Sequence, residues 1–212
     1  MKSKEGLYIL GGGTYGQVMY ELSVDNDFRV EGFYDDNPEL KSVMGIPVLG
    51  SAEDLMQQDL TGKNYVVAIG NNKIRAKFMD EIKKRGGKLV TLVHSSAIIS
   101  PSAVLGEGVY VQPGVVVWTK VSVGDYTIIS PNVVLSHHCK VGKGCLISIL
   151  SIVGAYVEVG DLTMFGMNSQ VIPGALKVGS NVMLGAGTVV TKDTGDDVVL
   201  VGSPARFLRK NI

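Results

Sequence analysis

The sequence has few cysteines, no excess of either charge and no long apolar run. Two cysteines among 212 residues are too few for a fold built on disulfides. Lys plus Arg and Asp plus Glu each number 20, which provides no general basic surface for nucleic acid or an anionic membrane. No apolar stretch approaches the ~18 residues of a membrane-spanning helix, and no signal-peptide pattern precedes the first strand. We therefore expect a cytoplasmic chain with no nucleic-acid partner and no membrane span.

Histidine is scarce as well, and two of the three histidines are consecutive. His137 and His138 stand together, with His94 far before them. No carboxylate or thiol is spaced to complete a metal-binding set with this pair, so we expect no metal site. An imidazole titrates at about pH 6.5, which makes the pair a natural source of a general base at neutral pH.

Glycine, by contrast, is abundant at 27 residues, and much of it belongs to a repeat of period six. A helix repeats every 3.6 residues and one face of a strand every two, so neither explains this period. Short strands joined by tight corners do explain it, with a large residue inside each side of a coil. We expect the interior to hold Ile99, Leu105, Val111, Val117, Val123, Ile129, Leu135, Val141, Ile147, Val153, Val159, Phe165 and Val171 and, after one extra residue, Val178, Leu184 and Val190.

A second column of small or β-branched residues follows four positions after each large one. Cys139 and Cys145 fall in this column, so we expect them to be reduced core residues rather than a disulfide or metal pair. The repeat predicts a solenoid of about five three-sided coils over residues 98–190, each coil ~4.8 Å from the next. We expect this solenoid and a short C-terminal tail to form a second domain over residues 95–212.

The front of the chain, residues 1–94, alternates strand and helix patterns. This alternation favours a small parallel α/β domain that joins the solenoid at His94. We expect His94 to form a structural hydrogen bond at that hinge. The expected strands cover 7–10, 28–34, 46–49, 65–69 and 89–93, and the expected helices cover 17–22, a turn starting at 51–54, and 73–85.

A glycine-rich loop follows the first strand and precedes the first helix. Gly11, Gly13 and Gly16 match G-x-G-x-x-G, and Asp35 and Asp36 follow some twenty residues later. Glycines let a backbone approach a pyrophosphate at a helix N-terminus, and an acid at this distance accepts a ribose hydroxyl. The pattern suits NAD or a nucleotide-sugar. The alternative is a tight turn that binds nothing, which the acidic pair at the expected distance disfavours. Because the α/β part is about half the size of a full doubly wound domain, we favour a nucleotide-sugar.

The repeat also places the two consecutive histidines. Leu135 and Cys139 belong to the two interior columns, so His137 and His138 between them occupy an outward corner. A corner residue cannot fill the core. The alternatives are a general base, a solvated surface histidine, or one that packs between protomers.

The α/β front and the hexapeptide repeat together resemble the bacterial nucleotide-sugar acetyltransferases that N-acetylate 4-amino-4,6-dideoxy sugars. The enzyme of the bacillosamine pathway is an example of this family. Sialic acid O-acetyltransferases share the layout. The resemblance covers nearly the whole chain, and it implies a left-handed parallel β-helix, a handedness that the spacing alone does not show. The matching segments are 11–16, 35–36, 68–72, 92–94, 136–139 and 201–206.

The resemblance also implies roles. His137 matches the family's general base, and His138 stands where the family often has Glu or Asp. Tyr15-Gly16 replaces a common His-Gly. Acetyl-CoA is the implied co-substrate, held between the solenoids of a homotrimer. The implied nucleotide-sugar site comprises Gly11, Gly12, Gly13, Thr14, Tyr15, Asp35, Asp36, Gly70 and Asn71. The implied CoA site comprises Ala155, Met167, Gly185, Lys192 and Arg206. Lys192, Arg206 and Arg209 either bind the CoA phosphates or belong to a solvated tail.

We therefore expect an acetyl-CoA-dependent transferase that acts on the 4-amino group of a UDP-linked sugar, with a dTDP- or GDP-linked sugar also possible. Three other readings remain. The chain could O-acetylate a sialic acid, it could be a non-catalytic hexapeptide scaffold, or the front domain could bind NAD while the solenoid only drives assembly.

Overall fold

The computed structural model describes residues 5–172 and 174–211, and these form two units. The units divide between Leu92 and Val93. The join predicted from the sequence lies two residues later, after His94. Among the described residues, none of the helices is long and apolar enough to cross a membrane.

Over the described residues 5–92, the front unit is a six-stranded sheet with three helices. The sheet has the order β3-β4-β2-β1-β5-β6, and its described pairs are parallel except the antiparallel hairpin of β3 and β4. This is the small parallel α/β arrangement that the alternating pattern predicts. In chain order the elements are β1 Gly6–Leu10, α1 Thr14–Asp25, β2 Arg29–Tyr34, β3 Ser42–Val43, β4 Ile46–Gly50, α2 Ala52–Met56, β5 Asn64–Val67, α3 Asn72–Lys84 and β6 Lys88–Leu89.

Local signals explain where the helices begin. Gly13 precedes α1 with extended backbone, so the helix starts three residues earlier than expected. Ser51 and Asp54 form a reciprocal capping box at α2. Asn71 caps α3, whose last turn carries two lysines that complement the helix dipole.

The expected strand over 89–93 is wrong as a single element. The chain leaves the front sheet at Leu89 and enters a sheet of the second unit at Leu92, so two short strands replace it.

The second unit is a three-sided parallel β-helix. Each two-residue strand pairs in parallel with a strand one coil further along, as Val117 does with Leu135. The first side holds β7 Leu92–Val93, β10 Tyr110–Val111, β13 Ile128–Ile129, β16 Leu146–Ile147, β19 Met164–Phe165, β22 Met183–Leu184, β24 Val198–Val201 and the antiparallel β25 Arg206–Lys210. The second side holds β8 Ile98–Ile99, β11 Val116–Val117, β14 Val134–Leu135, β17 Ile152–Val153, β20 Gln170–Val171 and β23 Val189–Val190. The third side holds β9 Val104–Leu105, β12 Ser122–Val123, β15 Lys140–Val141, β18 Glu158–Val159 and β21 Lys177–Val178.

The interior of the β-helix contains both columns of the repeat. The large residues from Val111 onward are buried, and the small residues four positions later are buried with them. Cys139 and Cys145 lie in this core as free thiols. Burial raises the pKa of the Cys139 thiol to about 12. The prediction that both cysteines are reduced core residues is confirmed.

The corners of the coil share one backbone feature. The second residue of most corners has a positive φ near 60°, although most residues avoid this region. Glycine fills some of these positions, but the chain also places larger residues there. Those larger residues are Lys120, Tyr126, Asn132, His138, Leu150, Tyr156, Leu162, Asn168 and Asn181.

Candidate active site

The two consecutive histidines lie at the corner between β14 and β15. Leu135 and Cys139, which flank the corner, are both fully buried in the coil. His137 and His138 themselves are half-buried, and His138 takes the left-handed corner conformation with φ 62°. The coil therefore presents both imidazoles on its outer edge. We call His137 and His138 the histidine pair.

The two imidazoles contact each other directly. Nδ1 of His137 lies 3.2 Å from Nδ1 of His138, and the rings meet edge to face at 88°. Both carry a nitrogen that can donate or accept, depending on the tautomer. The described residues provide neither ring with a carboxylate partner. A hydrogen bond between the two imidazoles thus sets their orientation.

Two exposed aromatic residues flank the histidine pair. The Trp118 ring stacks on His137 with centroids 6.3 Å apart. The Tyr156 ring stacks on His138 at 5.0 Å and meets His137 edge-on at 5.4 Å. More than half of each aromatic side chain remains exposed, 53% for Trp118 and 57% for Tyr156.

Sequence reasoning missed both aromatics. Tyr156 stands one coil after His138, and Trp118 stands slightly more than one coil before it. A search at a spacing of 18 residues around the histidines would have found Tyr156, because corners one coil apart stack in register.

The structure separates the expected CoA-channel residues into two groups. Ala155 lies one coil after His137 on the same edge. Met167 lies on the edge between the first and second sides, where its carbonyl accepts the N–H of Gly187 at 2.9 Å. Gly185 packs beside it, because a side chain on Gly166 would meet the Gly185 carbonyl carbon at 2.7 Å. Within one chain, Ala155 is therefore apart from Met167 and Gly185.

Lys192 and Arg206 line one cleft at the C-terminal end of the β-helix. The cleft has a volume of about 370 Å³. Asp193 also lines it, but its Oδ1 accepts the backbone N–H groups of Leu176 and Lys177 at 2.7 and 3.0 Å. Those two bonds lower the pKa of Asp193. Arg209 is not among the residues that line this cleft.

The glycine-rich loop of the front unit is shaped by its own backbone. Gly11 has φ +105°, and a Cβ there would lie 2.7 Å from the carbonyl oxygen of Ala68. A Cβ on Gly16 would lie 2.3 Å from the Gly11 carbonyl oxygen. Both positions therefore require glycine. Thr14 and Tyr15 form the first turn of α1, directly after the loop.

The acidic pair supports neighbouring backbone. Asp35 Oδ2 accepts the N–H of Gly12 at 2.6 Å, and its Oδ1 accepts the N–H of Asn37 at 2.9 Å. Asp36 Oδ1 accepts the N–H of Ala52 at the start of α2, at 2.8 Å. Both carboxylates also line a cleft of about 320 Å³.

The second expected loop, at Gly70 and Asn71, lies beside the first. β1 and β5 are neighbours, so their carboxyl ends bring the two loops together. The Asn71 side chain accepts the N–H of Ile74 and caps α3. Arg75, which sequence reasoning missed, is fully buried and donates to the carbonyls of Ile69 and Gly70 at 3.1 and 3.3 Å.

His94 makes a local hydrogen bond. Its Nδ1 lies 2.8 Å from Ser96 Oγ, and that hydroxyl accepts the N–H of Gly114. The histidine thus supports a corner, as expected for a structural role.

Two family models match the chain. The PglD N-terminal domain matches residues 6–82, and the bacterial transferase hexapeptide model, of six repeats, matches residues 102–137. A perosamine N-acetyltransferase from Caulobacter crescentus, solved as a mutant with CoA and GDP-perosamine, is 34% identical. It superposes with a TM-score of 0.89, over 97% of each chain. The chain belongs to the hexapeptide family of nucleotide-sugar N-acetyltransferases.

Curated relatives of this N-acetyltransferase family agree. GDP-perosamine N-acetyltransferase of Escherichia coli O157:H7 is 25% identical over 202 residues, 92% of this chain and 82% of that protein. UDP-N-acetylbacillosamine N-acetyltransferase of Bacillus subtilis is 29% identical over 110 residues, 49% of this chain. The chain spans half the length of that enzyme and about a quarter of the uncharacterized mimivirus protein L142.

Family membership confirms the resemblance that the sequence carries. The fold is a Rossmann-like sheet followed by a left-handed parallel β-helix. The protein is an N-acetyltransferase with acetyl-CoA as co-substrate, so the scaffold and NAD readings are not favoured.

Proposed function

We propose that this N-acetyltransferase moves the acetyl group of acetyl-CoA to the 4-amino group of a nucleotide-linked 4-amino-4,6-dideoxy sugar, with His137 as general base. The observation that carries the proposal is the histidine pair, two contacting imidazoles on an outer edge between exposed aromatics. Full-length similarity to an enzyme solved with CoA and GDP-perosamine supports the substrate class.

The chemistry needs a base beside the amine. The amine attacks the thioester carbonyl, a C–N bond forms and the C–S bond breaks. His137 Nδ1 faces His138, so its Nε2 is the nitrogen available to take the amine proton. The same nitrogen then returns the proton to the leaving sulfur. General acid–base help of this kind contributes ~10²- to 10⁴-fold to a rate.

The nucleotide belongs to the front unit in this proposal. Gly11, Gly12 and Gly13 with the first turn of α1 at Thr14 and Tyr15 would bind the pyrophosphate, because backbone N–H groups and the helix dipole favour an anion there. Gly70 and Asn71 add a second loop at the same edge of the sheet. Asp35 and Asp36 line the adjoining cleft and retain lone pairs for a ribose hydroxyl or a base N–H.

GDP-perosamine is the first acceptor to test. Two relatives that match over most of the chain act on GDP-perosamine or contain it, whereas the UDP-linked relative matches about half of the chain. The sequence alone favoured UDP, which stays the second candidate.

We further propose a homotrimer with active sites between subunits. The outward residues of β8, β11, β14 and β17 are Ile98, Val116, Val134 and Ile152, an apolar face that includes an Ile98 65% exposed. The third side instead carries a Lys140–Glu158 ion pair. Ala155 and Met167 lie on the two edges that bound the apolar face, so a neighbouring subunit would complete one channel.

The CoA nucleotide would lie toward the C-terminal end of that channel. Lys192 and Arg206 share a cleft there, and ammonium and guanidinium groups pair well with phosphate oxygens. Both substrates carry several phosphate charges that cannot cross a bilayer unaided. We therefore also propose that the enzyme works in the cytoplasm.

A thiol-release assay tests the proposal. Acetyl-CoA would be combined with GDP-, UDP- and dTDP-linked 4-amino sugars, and with a sialic acid to test O-acetylation. We expect turnover with at least one amino sugar and none with the sialic acid. Thiol release with the sialic acid alone would contradict the proposed acceptor.

His137→Gln tests the base in the same assay. We expect kcat to fall at least ~100-fold with little change in KM for acetyl-CoA. His94→Gln is the matched control, because His94 makes only local corner contacts. A His137→Gln enzyme within twofold of wild type would exclude His137 as the base.

A further inference from the structure

The Nδ1–Nδ1 contact of the histidine pair restricts which protons the two rings carry. At 3.2 Å one nitrogen must donate and the other must accept. If His138 donated, His137 would carry its own hydrogen on Nε2 and could not take a proton there. His137 can act as a base through Nε2 only when its Nδ1 carries the hydrogen and His138 Nδ1 accepts it.

We propose that His138 is the positioning residue of the reaction, holding His137 in the reactive tautomer and sharing the charge that His137 acquires. The inference rests on the proposed function, in which His137 is the base. His138 then carries its hydrogen on Nε2 and offers Nδ1 as an acceptor. Its role is to act through His137 rather than on the substrate.

Proton and bond changes balance without an added reactant. The amine proton moves to His137 Nε2 as the C–N bond forms. The positive charge is then held between the two rings, because the hydrogen on His137 Nδ1 points at His138 Nδ1. When the C–S bond breaks, the proton on His137 Nε2 passes to the sulfur, and the pair returns to its starting protonation.

The surrounding structure fixes the pair for this role. Tyr156 stacks on His138 with ring planes 23° apart and meets His137 edge-on, so neither imidazole turns freely. His138 has the left-handed corner conformation, φ 62°, and its ring meets that of His137 edge to face with centroids 5.3 Å apart. Among the described residues, the ring nitrogens of His137 have no other hydrogen-bond partner that could set the tautomer of the ring.

Other corners of the coil indicate which residue can replace His138 without disturbing the left-handed backbone. Leu150 and Leu162 occupy equivalent left-handed corners with φ 62° and 58°, so His138→Leu is compatible with the corner. His138→Asn restores an acceptor, because its side-chain oxygen can take the place of Nδ1 and asparagine tolerates this φ. Leu162→Asn, at a left-handed corner of the edge between the third and first sides, controls for the substitution itself, because that edge does not bound the apolar face.

We expect His138→Leu to lower kcat at least about tenfold with both KM values nearly unchanged. His138→Asn should recover most of that loss, and Leu162→Asn should match wild type. A His138→Leu enzyme within twofold of wild type, or one that His138→Asn does not improve, would overturn the inference. Neither result would affect His137 as the base, which His137→Gln tests separately.

A spectroscopic readout separates tautomer control from packing. The chain has three histidines, so ¹H–¹⁵N spectra of the imidazoles can be assigned with single variants. We expect the hydrogen of neutral His137 on Nδ1 in wild type and a mixture of tautomers in His138→Leu. A wild-type His137 with its hydrogen on Nε2 would overturn the inference even if the kinetic losses were observed.

Discussion

The carboxylate of Asp35 accepts the backbone N–H of Gly12 at 2.6 Å, across 23 residues of sequence. The bond joins the end of β2 to the glycine-rich loop that follows β1, two strands that lie side by side. An acid expected to bind a ribose thus also holds the loop expected to bind the pyrophosphate. A carboxylate has about four lone-pair positions, so one group can serve both purposes.

Asp35→Asn should impair acceptor binding more than acetyl-CoA binding. The amide places an N–H group or a weaker acceptor against Gly12, which loosens the loop. We expect KM for the nucleotide-sugar to rise about tenfold and KM for acetyl-CoA to stay flat, as measured by initial rates. Glu39→Gln, an exposed change nearby, is the control. An equal rise in both KM values would contradict the assignment.

Arg75→Met should destabilise the protein. The buried guanidinium donates to Ile69, Gly70 and Asn72, and its loss would strand acceptors at the second loop. We expect a loss of about 1–3 kcal/mol in the free energy of unfolding, measured by urea titration. Lys77→Met on the exposed side of the same helix should cost far less. Equal losses would show that Arg75 contributes nothing specific.

Tyr156 tests whether stacking on the histidine pair matters. The ring stacks on His138, and its hydroxyl has no hydrogen bond among the contacts of the described residues. Tyr156→Phe should therefore keep kcat, whereas Tyr156→Leu should lower it about two- to tenfold, the range that an aromatic contact of ~0.5–1.5 kcal/mol supports. A loss in Tyr156→Phe as large as that in Tyr156→Leu would point to the hydroxyl instead.

The buried thiols of Cys139 and Cys145 should not react with thiol reagents in the native protein. Burial raises the pKa of Cys139 to about 12, so the reactive thiolate becomes abundant only as the pH approaches that value. We expect no reaction of the chain with a disulfide reagent at pH 8, and two thiols per chain after denaturation. Rapid labelling of native protein would contradict the burial of this column. For the same reason, the two cysteines of the chain should give no background signal in the thiol-release assay.

Much of the fold can be predicted from the sequence because the residue types themselves show the six-residue repeat. A large residue at every sixth position and a small one four places later can be buried together only by short strands that turn a corner between them. That pattern placed Leu135 and Cys139 inside and the histidine pair outside. The alternation of strands and helices likewise indicated the front sheet, although the short β3 and the division of the 89–93 strand were not visible in it.

The environment of the histidine pair could not be read in the same way. Trp118 and Tyr156 belong to other coils, and nothing in the local pattern marks either as a neighbour of an imidazole. Arg75 reads as an ordinary helix residue until its guanidinium is seen beneath the loop. Ala155 and Met167 looked like one group in the sequence, yet they lie on different edges of the coil.

The sequence by itself determined the coil, its interior columns and the outward corner that carries two imidazoles, because burial of apolar side chains repeats with the chain. Only the tertiary structure decided which atoms of those imidazoles meet and what packs on them. Such contacts depend on rotamers and on residues about one full coil away, which no local period encodes.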